Sequence, residues 1–211
     1  MFYLAKMPRW ISTFYKQCIW SVPVTEKKIF LSFDDGPHPT ITPFVLDELK
    51  KYNARASFFC IGKNVLAFPD VYKRIIDEGH AVGNHSFNHL NGWKTNDAVY
   101  LDDIAEAKKY IDSNLYRPPY GRITRFQLDQ LNKPRFKLKT VMWSVLSGDF
   151  DTKLSPEKCL KNVLNNYKPG SIVVFHDSEK AIDRMRYALT GTLENLNKQG
   201  YSFEKLGQDE N

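Results

Sequence analysis

The chain has 211 residues, 42% of them hydrophobic and 14% aromatic, which excludes a disordered chain and suits one domain with a substantial core. Its formal charge is +6, but the 30 basic and 24 acidic residues are interspersed without a dense Arg/Lys block, so no nucleic acid partner is expected. Three distant cysteines without C-x-x-C spacing indicate neither a disulfide framework nor a thiolate zinc site.

Residues 1–26 precede the first strong strand pattern and form a predicted N-terminal extension. Lys6, Arg9 and Lys16 interrupt each apolar run before a signal-peptide core or a membrane span could form. The mixture of aromatic and basic residues predicts a helix packed on the domain, with peripheral contact of residues 1–20 with a membrane surface as the alternative. No cleavable signal peptide is evident, so a cytoplasmic or membrane-associated location is expected, and no partner protein is implied.

Strand and helix patterns alternate over residues 27–211, which form the predicted main domain. The predicted strands cover residues 29–33, 56–61, 81–82, 138–143 and 171–175. The predicted helices cover residues 42–52, 70–78, 95–113, 124–131, 155–167 and 181–198. Thr42 is the predicted N-cap of the first helix, with Pro43 at its first position. This alternation indicates parallel βαβ units.

Polar clusters follow the carboxyl ends of several predicted strands, and their placement favours a barrel over an open sheet. The clusters are Asp34-Asp35, His85, the stretch after Trp143, and His176-Asp177. Barrel enzymes assemble their active sites from several loops at this end of the strands, whereas an open sheet gathers its site near one switch point. We therefore expect one α/β domain with a barrel-like sheet.

Two histidines four residues apart, His85 and His89, can reach one metal ion from the same side of a helical turn. With Asp35 as a third ligand, the site would have two nitrogens and one carboxylate oxygen, which leaves positions open for water and substrate. Asp34, next to Asp35 on a tight Asp-Gly turn, can point in another direction and accept a proton.

Five motifs occur in an order that resembles the polysaccharide deacetylase family, also called the NodB-homology or carbohydrate esterase 4 family. They are Ser-Phe-Asp-Asp-Gly-Pro (32–37), His-Ser-Phe-Asn-His (85–89), Arg-Pro-Pro-Tyr-Gly (117–121), residues 143–150, and Val-Val-Phe-His-Asp (173–177). The resemblance covers about residues 27 to 205. It implies a distorted (β/α)7-type barrel and metal-dependent removal of N- or O-acetyl groups from a sugar.

The resemblance also implies a role for each residue of the site. Asp35, His85 and His89 would hold a divalent metal, zinc in the first instance, with Co²⁺, Ni²⁺ or Mn²⁺ as alternatives. Asp34 would be the general base and His176 the general acid that protonates the leaving amine.

The remaining roles concern orientation and substrate contact. Arg117 would orient the base carboxylate, and the backbone N–H of Tyr120 would stabilise the oxyanion. The expected substrate contacts are Tyr120, Trp143, Phe150 and Val174.

One motif departs from the family pattern, because Leu146 stands where many members have aspartate and Phe150 where they have tryptophan. That aspartate commonly partners the motif arginine. Three arrangements therefore remain open: Asp149 partners Arg117, Asp151 does so, or Arg117 pairs only with Asp34.

The resulting expectation is a deacetylase acting on an N-acetylglucosamine-containing envelope polysaccharide such as peptidoglycan, so the expected partner is an acetylated glycan. The alternatives are hydrolysis of another small acyl or cyclic amide compound, and a non-catalytic, metal-containing carbohydrate-binding module.

Overall fold

A single parallel sheet organises the chain. The computed structural model describes residues 4–207. Residues 1–3 of the predicted N-terminal extension and residues 208–211 of the predicted main domain lie outside the described residues. Within this part, nine strands pair in the order β1-β6-β5-β4-β3-β2-β8-β7, with β9 beside β2. The strands are β1 (Cys18–Ile19), β2 (Lys28–Asp34), β3 (Ala56–Cys60), β4 (Ala81–Asn84), β5 (Leu115–Tyr116), β6 (Lys139–Val141), β7 (Val145–Leu146), β8 (Ile172–His176) and β9 (Ser202–Phe203).

Helices connect most of the strands and cover the outer face of the sheet. They are α1 (Arg9–Phe14), α2 (Ile41–Lys51), α3 (Gly62–Ala67), α4 (Pro69–Asp77), α5 (Asp97–Ala107), α6 (Arg125–Leu131), α7 (Pro156–Leu164) and α8 (Ile182–Lys198). A 3-10 turn lies at Pro119–Gly121. Because parallel neighbours need crossover connections, this arrangement agrees with the predicted βαβ units.

The start of α2 corrects one prediction. The helix begins at Ile41 with Thr40 at the N-cap, so Thr42 is not the cap. The Thr42 hydroxyl instead donates a hydrogen bond to the Asp177 carboxylate and accepts one from the backbone N–H of His38 at 2.8 Å. Thr42 is fully buried, and this tertiary contact prevails over its local capping preference.

Side chains of β2 alternate between two environments, as expected for a strand buried on both faces. Ile29, Leu31 and Phe33 pack in the large cluster that includes residues of the outer helices. Phe30 belongs instead to the cluster inside the curled sheet, whose other buried members are Val22, Phe59, Leu115, Val141, Ile172 and Leu206. Asp34 shares the inward face with Phe30, and β2 therefore delivers one carboxylate to the interior end of the sheet.

The N-terminal segment touches both edges of the sheet. Cys18 and Ile19 pair with Thr140 and Val141 of β6, while Lys6 bridges to Val145 of β7. One short segment can reach both ends of the strand order only if the sheet curls round. The predicted single α/β domain with a distorted barrel is confirmed.

Within the described part of the N-terminal segment, residues 4–26, the six residues of α1 form a helix. Among residues 4–207, no helix combines the length and the apolar character needed to cross a bilayer. Contact of residues 1–20 with a membrane surface stays a prediction.

Candidate active site

The predicted catalytic residues meet at the carboxyl end of the sheet. Asp34 is the last residue of β2, and its register partner on β8 is His176, the last residue of that strand. His85 follows directly after β4, and Arg117 directly after β5. Parallel strands end on the same side of the sheet, so residues separated by more than 140 positions become neighbours.

The turn after β2 holds Asp35 in a left-handed backbone conformation, with φ of 82°. The side-chain amide of Asn64 donates to the Asp35 carbonyl at 2.7 Å, and the Gly36 N–H donates to Asp177 Oδ1 at 3.1 Å. A Cβ at Gly36 would clash with the Asp177 carboxylate, so only glycine fits here. These contacts fix the direction of the Asp35 side chain.

Burial raises the pKa of Asp177 to about 8, and the negative charge of Asp35 acts in the same direction against the hydrogen bond from Thr42. Asp177 is fully buried. It therefore serves the site by holding the turn at Gly36 rather than as an exposed acid.

The loop that carries the two histidines is fixed by a buried acid of α5. Asp103 Oδ2 accepts hydrogen bonds from the backbone N–H groups of Phe87 and Asn88, both at 3.0 Å. Its Oδ1 accepts from the Asn88 side chain at 2.7 Å. The loop has positive φ at Ser86 and His89, and the Ser86 hydroxyl accepts from the His89 N–H at 3.0 Å. These hydrogen bonds therefore hold the loop 85–89, which carries both imidazoles, in a fixed conformation.

Asp35, His85 and His89 form a compact set of metal-ligating groups. One ligand atom from each lies within 4.8 Å of the other two. The distance from Asp35 Oδ1 to Nε2 is 3.2 Å for His89 and 3.8 Å for His85. Two imidazole nitrogens and one carboxylate oxygen, with Asp35 and His89 partly exposed, fit a catalytic zinc site that keeps further positions open.

The protonation states of these groups agree with metal ligation. Burial lowers the pKa of His85 to about 4, which favours the neutral imidazole. Its Nδ1 lies 2.8 Å from the Arg117 carbonyl, so Nδ1–H can donate there and leave the Nε2 lone pair for a metal. Burial alone would raise the pKa of Asp35, but its hydrogen bond with His89 and the nearby imidazoles hold that pKa well below its usual range.

Arg117 fills the inside of the barrel beneath the site and is fully buried. Its Nη1 donates to Asp34 Oδ1 at 2.7 Å and to the Ser32 hydroxyl at 2.8 Å. Its other nitrogens donate to the carbonyls of Val141 and Met142 at 3.2 and 3.0 Å. A guanidinium fixed on four sides leaves the Asp34 carboxylate little freedom to rotate.

Asp149 pairs with His176 and not with Arg117. Asp149 Oδ1 lies 2.7 Å from His176 Nδ1, and its Oδ2 accepts from the His176 backbone N–H at 2.8 Å. Burial by itself would lower the pKa of His176, but the ion pair with Asp149 outweighs it and raises that pKa to about 9. Of the three arrangements left open by the sequence, the structure has Arg117 paired with Asp34.

Aromatic residues border this set. The Tyr120 ring lies 4.6 Å from the His89 ring, and the Phe150 ring lies 5.2 Å from the His176 ring. Tyr120 is 51% exposed and has positive φ. Both aromatic side chains therefore flank the reactive groups, and their contact with substrate stays a prediction.

The other two predicted substrate contacts lie deeper. Trp143 packs against Gly121 and Arg117 and lines a cavity with Lys6 and Trp20 of the N-terminal segment. Val174 is 1% exposed and lies two residues before His176 on β8, hence on the same inward face. Contact of Trp143 and Val174 with substrate stays a prediction.

Sequence reasoning did not identify four supporting residues: Asn64, Asp103, Asp177, and Asp149 as the partner of His176. Asp149 and Asp177 do lie within the motifs 143–150 and 173–177, so the sequence indicated that they lie near the site but not which groups they contact. Asn64 and Asp103 lie on helices with no such signal, because their role depends on which loop each helix packs against.

Comparisons with known proteins agree with this geometry. The family model described as polysaccharide deacetylase matches residues 21–137. The chain is 38% identical over 195 residues to a peptidoglycan-N-acetylglucosamine deacetylase of Bacillus cereus, covering 90% of this chain and 91% of that protein. It is 36% identical over 196 residues to the peptidoglycan-N-acetylmuramic acid deacetylase PdaA of Bacillus subtilis, covering 86% and 70%.

A solved structure of a related protein has the same fold. The structure of the Bc1960 peptidoglycan N-acetylglucosamine deacetylase superimposes with a TM-score of 0.81 at 31% identity, and 95% of each chain is covered. Some other curated relatives are longer, and the chain spans 59% of one and 39% of another.

The resemblance predicted from five motifs is thus confirmed over nearly the whole chain. The matched proteins named above are carbohydrate deacetylases. The chain belongs to the polysaccharide deacetylase family.

Proposed function

We propose that this protein is a metal-dependent N-deacetylase of N-acetylglucosamine-containing glycan, with peptidoglycan as the leading substrate. One observation carries the proposal: a three-residue ligand set, a carboxylate held by arginine and a histidine held by aspartate meet at the same end of the sheet. An acid, a base and a Lewis-acid site together are what hydrolysis of an unactivated amide requires.

Asp35, His85 and His89 would hold the metal, most suitably Zn²⁺ given their nitrogen and oxygen donors. When bound, a divalent cation polarises the acetyl carbonyl and favours ionisation of the attacking water.

Asp34 is suited to accept the proton of that water, since Arg117 fixes its carboxylate at 2.7 Å. His176 is suited to donate a proton to the departing nitrogen, because Asp149 favours its cationic form. The Tyr120 N–H is the proposed oxyanion donor.

The proposed substrate class is supported by the relatives and by the exposure of Tyr120. The relatives named above act on peptidoglycan, at N-acetylglucosamine in two cases and at N-acetylmuramic acid in the third. Tyr120, bordering the ligand set, is half exposed. This opening suits a sugar within a polymer better than a small compound enclosed by a lid.

The proposal predicts that Asp34→Asn retains zinc but loses acetate release from chito-oligosaccharides and purified peptidoglycan. General-base removal costs about 10²- to 10⁴-fold in rate, whereas the ligand set is unchanged. Zinc content is measured on the same samples as acetate release.

Two controls separate the parts of the proposal. His89→Ala should lose both zinc and activity, and chelator treatment of the unmodified protein should abolish activity that added zinc restores. An Asp34→Asn variant with full activity would rule out the base assignment. Release from O-acetylated sugar alone would redirect the proposal to ester hydrolysis.

A further inference from the structure

Two surface side chains beside the proposed site have no part in the chemistry described above. Trp93 is 58% exposed. The guanidinium carbon of Arg122 lies 4.0 Å from the centre of the Trp93 ring system. Within residues 4–207, Arg122 forms no ion pair with any carboxylate. An exposed indole and an unneutralised cation thus stand together.

The indole is fixed in place although most of it faces solvent. Its Nε1–H donates to the Ile123 carbonyl at 3.0 Å, and Arg122 covers part of its face. An exposed tryptophan with its polar edge satisfied offers a rigid apolar surface, and little conformational entropy would be lost when a ligand covers it.

The two loops that carry this pair are fastened to each other. A Cβ at Gly92 would clash with the Arg122 carbonyl, so the backbones approach as closely as glycine permits. The buried side chain of Gln127 donates to the Gly92 carbonyl at 2.9 Å and to Asp97 Oδ1 at 2.7 Å. The relative position of Trp93 and Arg122 is therefore built into the fold.

Both loops continue directly from the proposed site. Trp93 follows the proposed ligand His89 by four residues, and Arg122 follows Tyr120 by two. The rings of His89 and Tyr120 are 4.6 Å apart. Trp93 and Arg122 are therefore tied to the proposed site through two short chain segments, of four and two residues.

We propose that Trp93 and Arg122 form a subsite for an acidic saccharide unit next to the one that is deacetylated. The apolar C–H face of a pyranose ring would stack on the indole, which removes apolar surface of both from water. Arg122 would pair with a carboxylate on that unit, since its planar fork matches a carboxylate better than an ammonium group would. This inference rests on the proposed function, because it places a glycan strand across the site.

The test compares Trp93→Ala and Arg122→Ala with the unmodified protein on three substrates. These are neutral chito-oligosaccharides, glycan strands whose stem peptides have been removed to leave free lactyl carboxylates, and strands that retain the peptides. Trp93→Ala is expected to raise KM about 10-fold on all three, the effect of losing one aromatic contact, with kcat little changed.

Arg122→Ala is expected to raise KM about 10-fold on stripped strands, whose lactyl carboxylates are free, and to change it little on neutral oligosaccharides, because only the stripped strands lose a charge-assisted contact with the saccharide. Arg122→Lys should recover part of the loss. A loss on stripped strands assigns the lactyl carboxylate, whereas a loss confined to peptide-bearing strands would overturn the pairing of Arg122 with the saccharide.

Matched controls exist elsewhere on the surface. Trp10→Ala removes a tryptophan that is 63% exposed on α1, and Arg125→Ala removes an exposed arginine at the start of α6. Both should behave as the unmodified protein. KM values of Trp93→Ala and Arg122→Ala equal to those of the controls would overturn the subsite.

A binding measurement keeps this inference separate from the proposed function. Metal-loaded protein is co-sedimented with insoluble peptidoglycan, without regard to turnover. If the unmodified protein releases no acetate yet binds more strongly than Trp93→Ala and Arg122→Ala, the proposed reaction fails and the subsite stands. Binding that neither substitution weakens overturns the subsite whether or not acetate is released.

Discussion

The pair formed by Asp149 and His176 shows how one carboxylate can set the charge state of a proton donor. An imidazole has an ordinary pKa of about 6.5, at which it would be mostly neutral at neutral pH. Burial would depress that value further, and the contact of 2.7 Å with Asp149 reverses the effect and raises the pKa to about 9. His176 is therefore mostly a cation at neutral pH.

Asp149→Asn is expected to move the alkaline limb of the kcat/KM profile to lower pH. The cation of His176 persists up to pH of about 9 in the unmodified protein. Without the carboxylate it is lost at lower pH, so the loss of activity should be larger at pH of about 8 than at pH of about 6 and should exceed roughly 10-fold at the former. The measurement is a pH profile of both proteins with saturating zinc.

The pair of His176 and Asp149 also makes the folding stability depend on pH in a defined direction. A raised pKa means that the folded state holds the proton more tightly than the unfolded state. The stabilisation from this pair is therefore complete below pH of about 6.5 and is lost as pH rises through about 9. Denaturation of the metal-free protein should show the difference in stability between Asp149→Asn and the unmodified protein shrinking over that window.

In the kinetic experiment, an alkaline limb of the kcat/KM profile that does not move would contradict the assignment of His176 as the acid.

The sequence predicted which residues gather at the site but not how they pair. Strand order places Asp34, Arg117 and Asp149 at the same end of the sheet. It does not say which neighbour across the barrel each side chain faces. The structure settles this, because Arg117 projects inward beneath β2 while Asp149 lies beside the end of β8.

At the scale of elements, α5 matters to the site although it contributes no reactive group. Asp103 reaches from this helix to two backbone N–H groups and one side-chain amide of the loop 85–89. The loop has two residues with positive φ, a conformation that a free loop seldom adopts. The helix therefore imposes the shape in which His85 and His89 converge.

Asp103→Ala is expected to weaken zinc binding about 10- to 100-fold, the range seen when groups that support metal ligands are removed. Two N–H groups would lose their acceptor, and the loop would relax away from the converged shape. Zinc affinity is measured by competition with a chelating dye.

The neighbouring Asp102→Ala supplies the control, because Asp102 is exposed and pairs only at the surface with Arg135, at 2.8 Å. Equal zinc affinities for the two variants would show that α5 does not position the loop. Unfolding measured with chelator present reports any general loss of stability.

The sequence predicted helices and strands correctly where the local hydrophobic pattern of a segment agrees with its burial in the fold. The predicted strands 29–33, 56–61 and 171–175 match β2, β3 and β8 within two residues at each end. Helix α3, six residues beginning at Gly62, and strand β5, two residues long, were not predicted. Short elements such as these are stabilised by their neighbours, so their own sequence carries little signal.

At the scale of the whole molecule, the N-terminal segment completes the barrel. It pairs with β6 through residues 18–19 and with β7 through residue 6, and its Val22 N–H donates to the Gly170 carbonyl at 2.9 Å. These contacts cover two strand edges that would otherwise expose unpaired backbone groups. Local periodicity could not predict them, since β1 has two residues and depends entirely on its partner.

Gly170→Ala tests this closure. Gly170 has φ of 78°, and a Cβ there would clash with the Val22 carbonyl, so the substitution should push the N-terminal segment from its edge. Gly200→Ala is the matched control, because Gly200 has the same φ of 78° and nothing within 4 Å. The control should lose only the backbone cost of roughly 1–2 kcal/mol. Gly170→Ala should lose clearly more in urea denaturation, and equal losses would mean that the segment contributes little to holding the barrel closed.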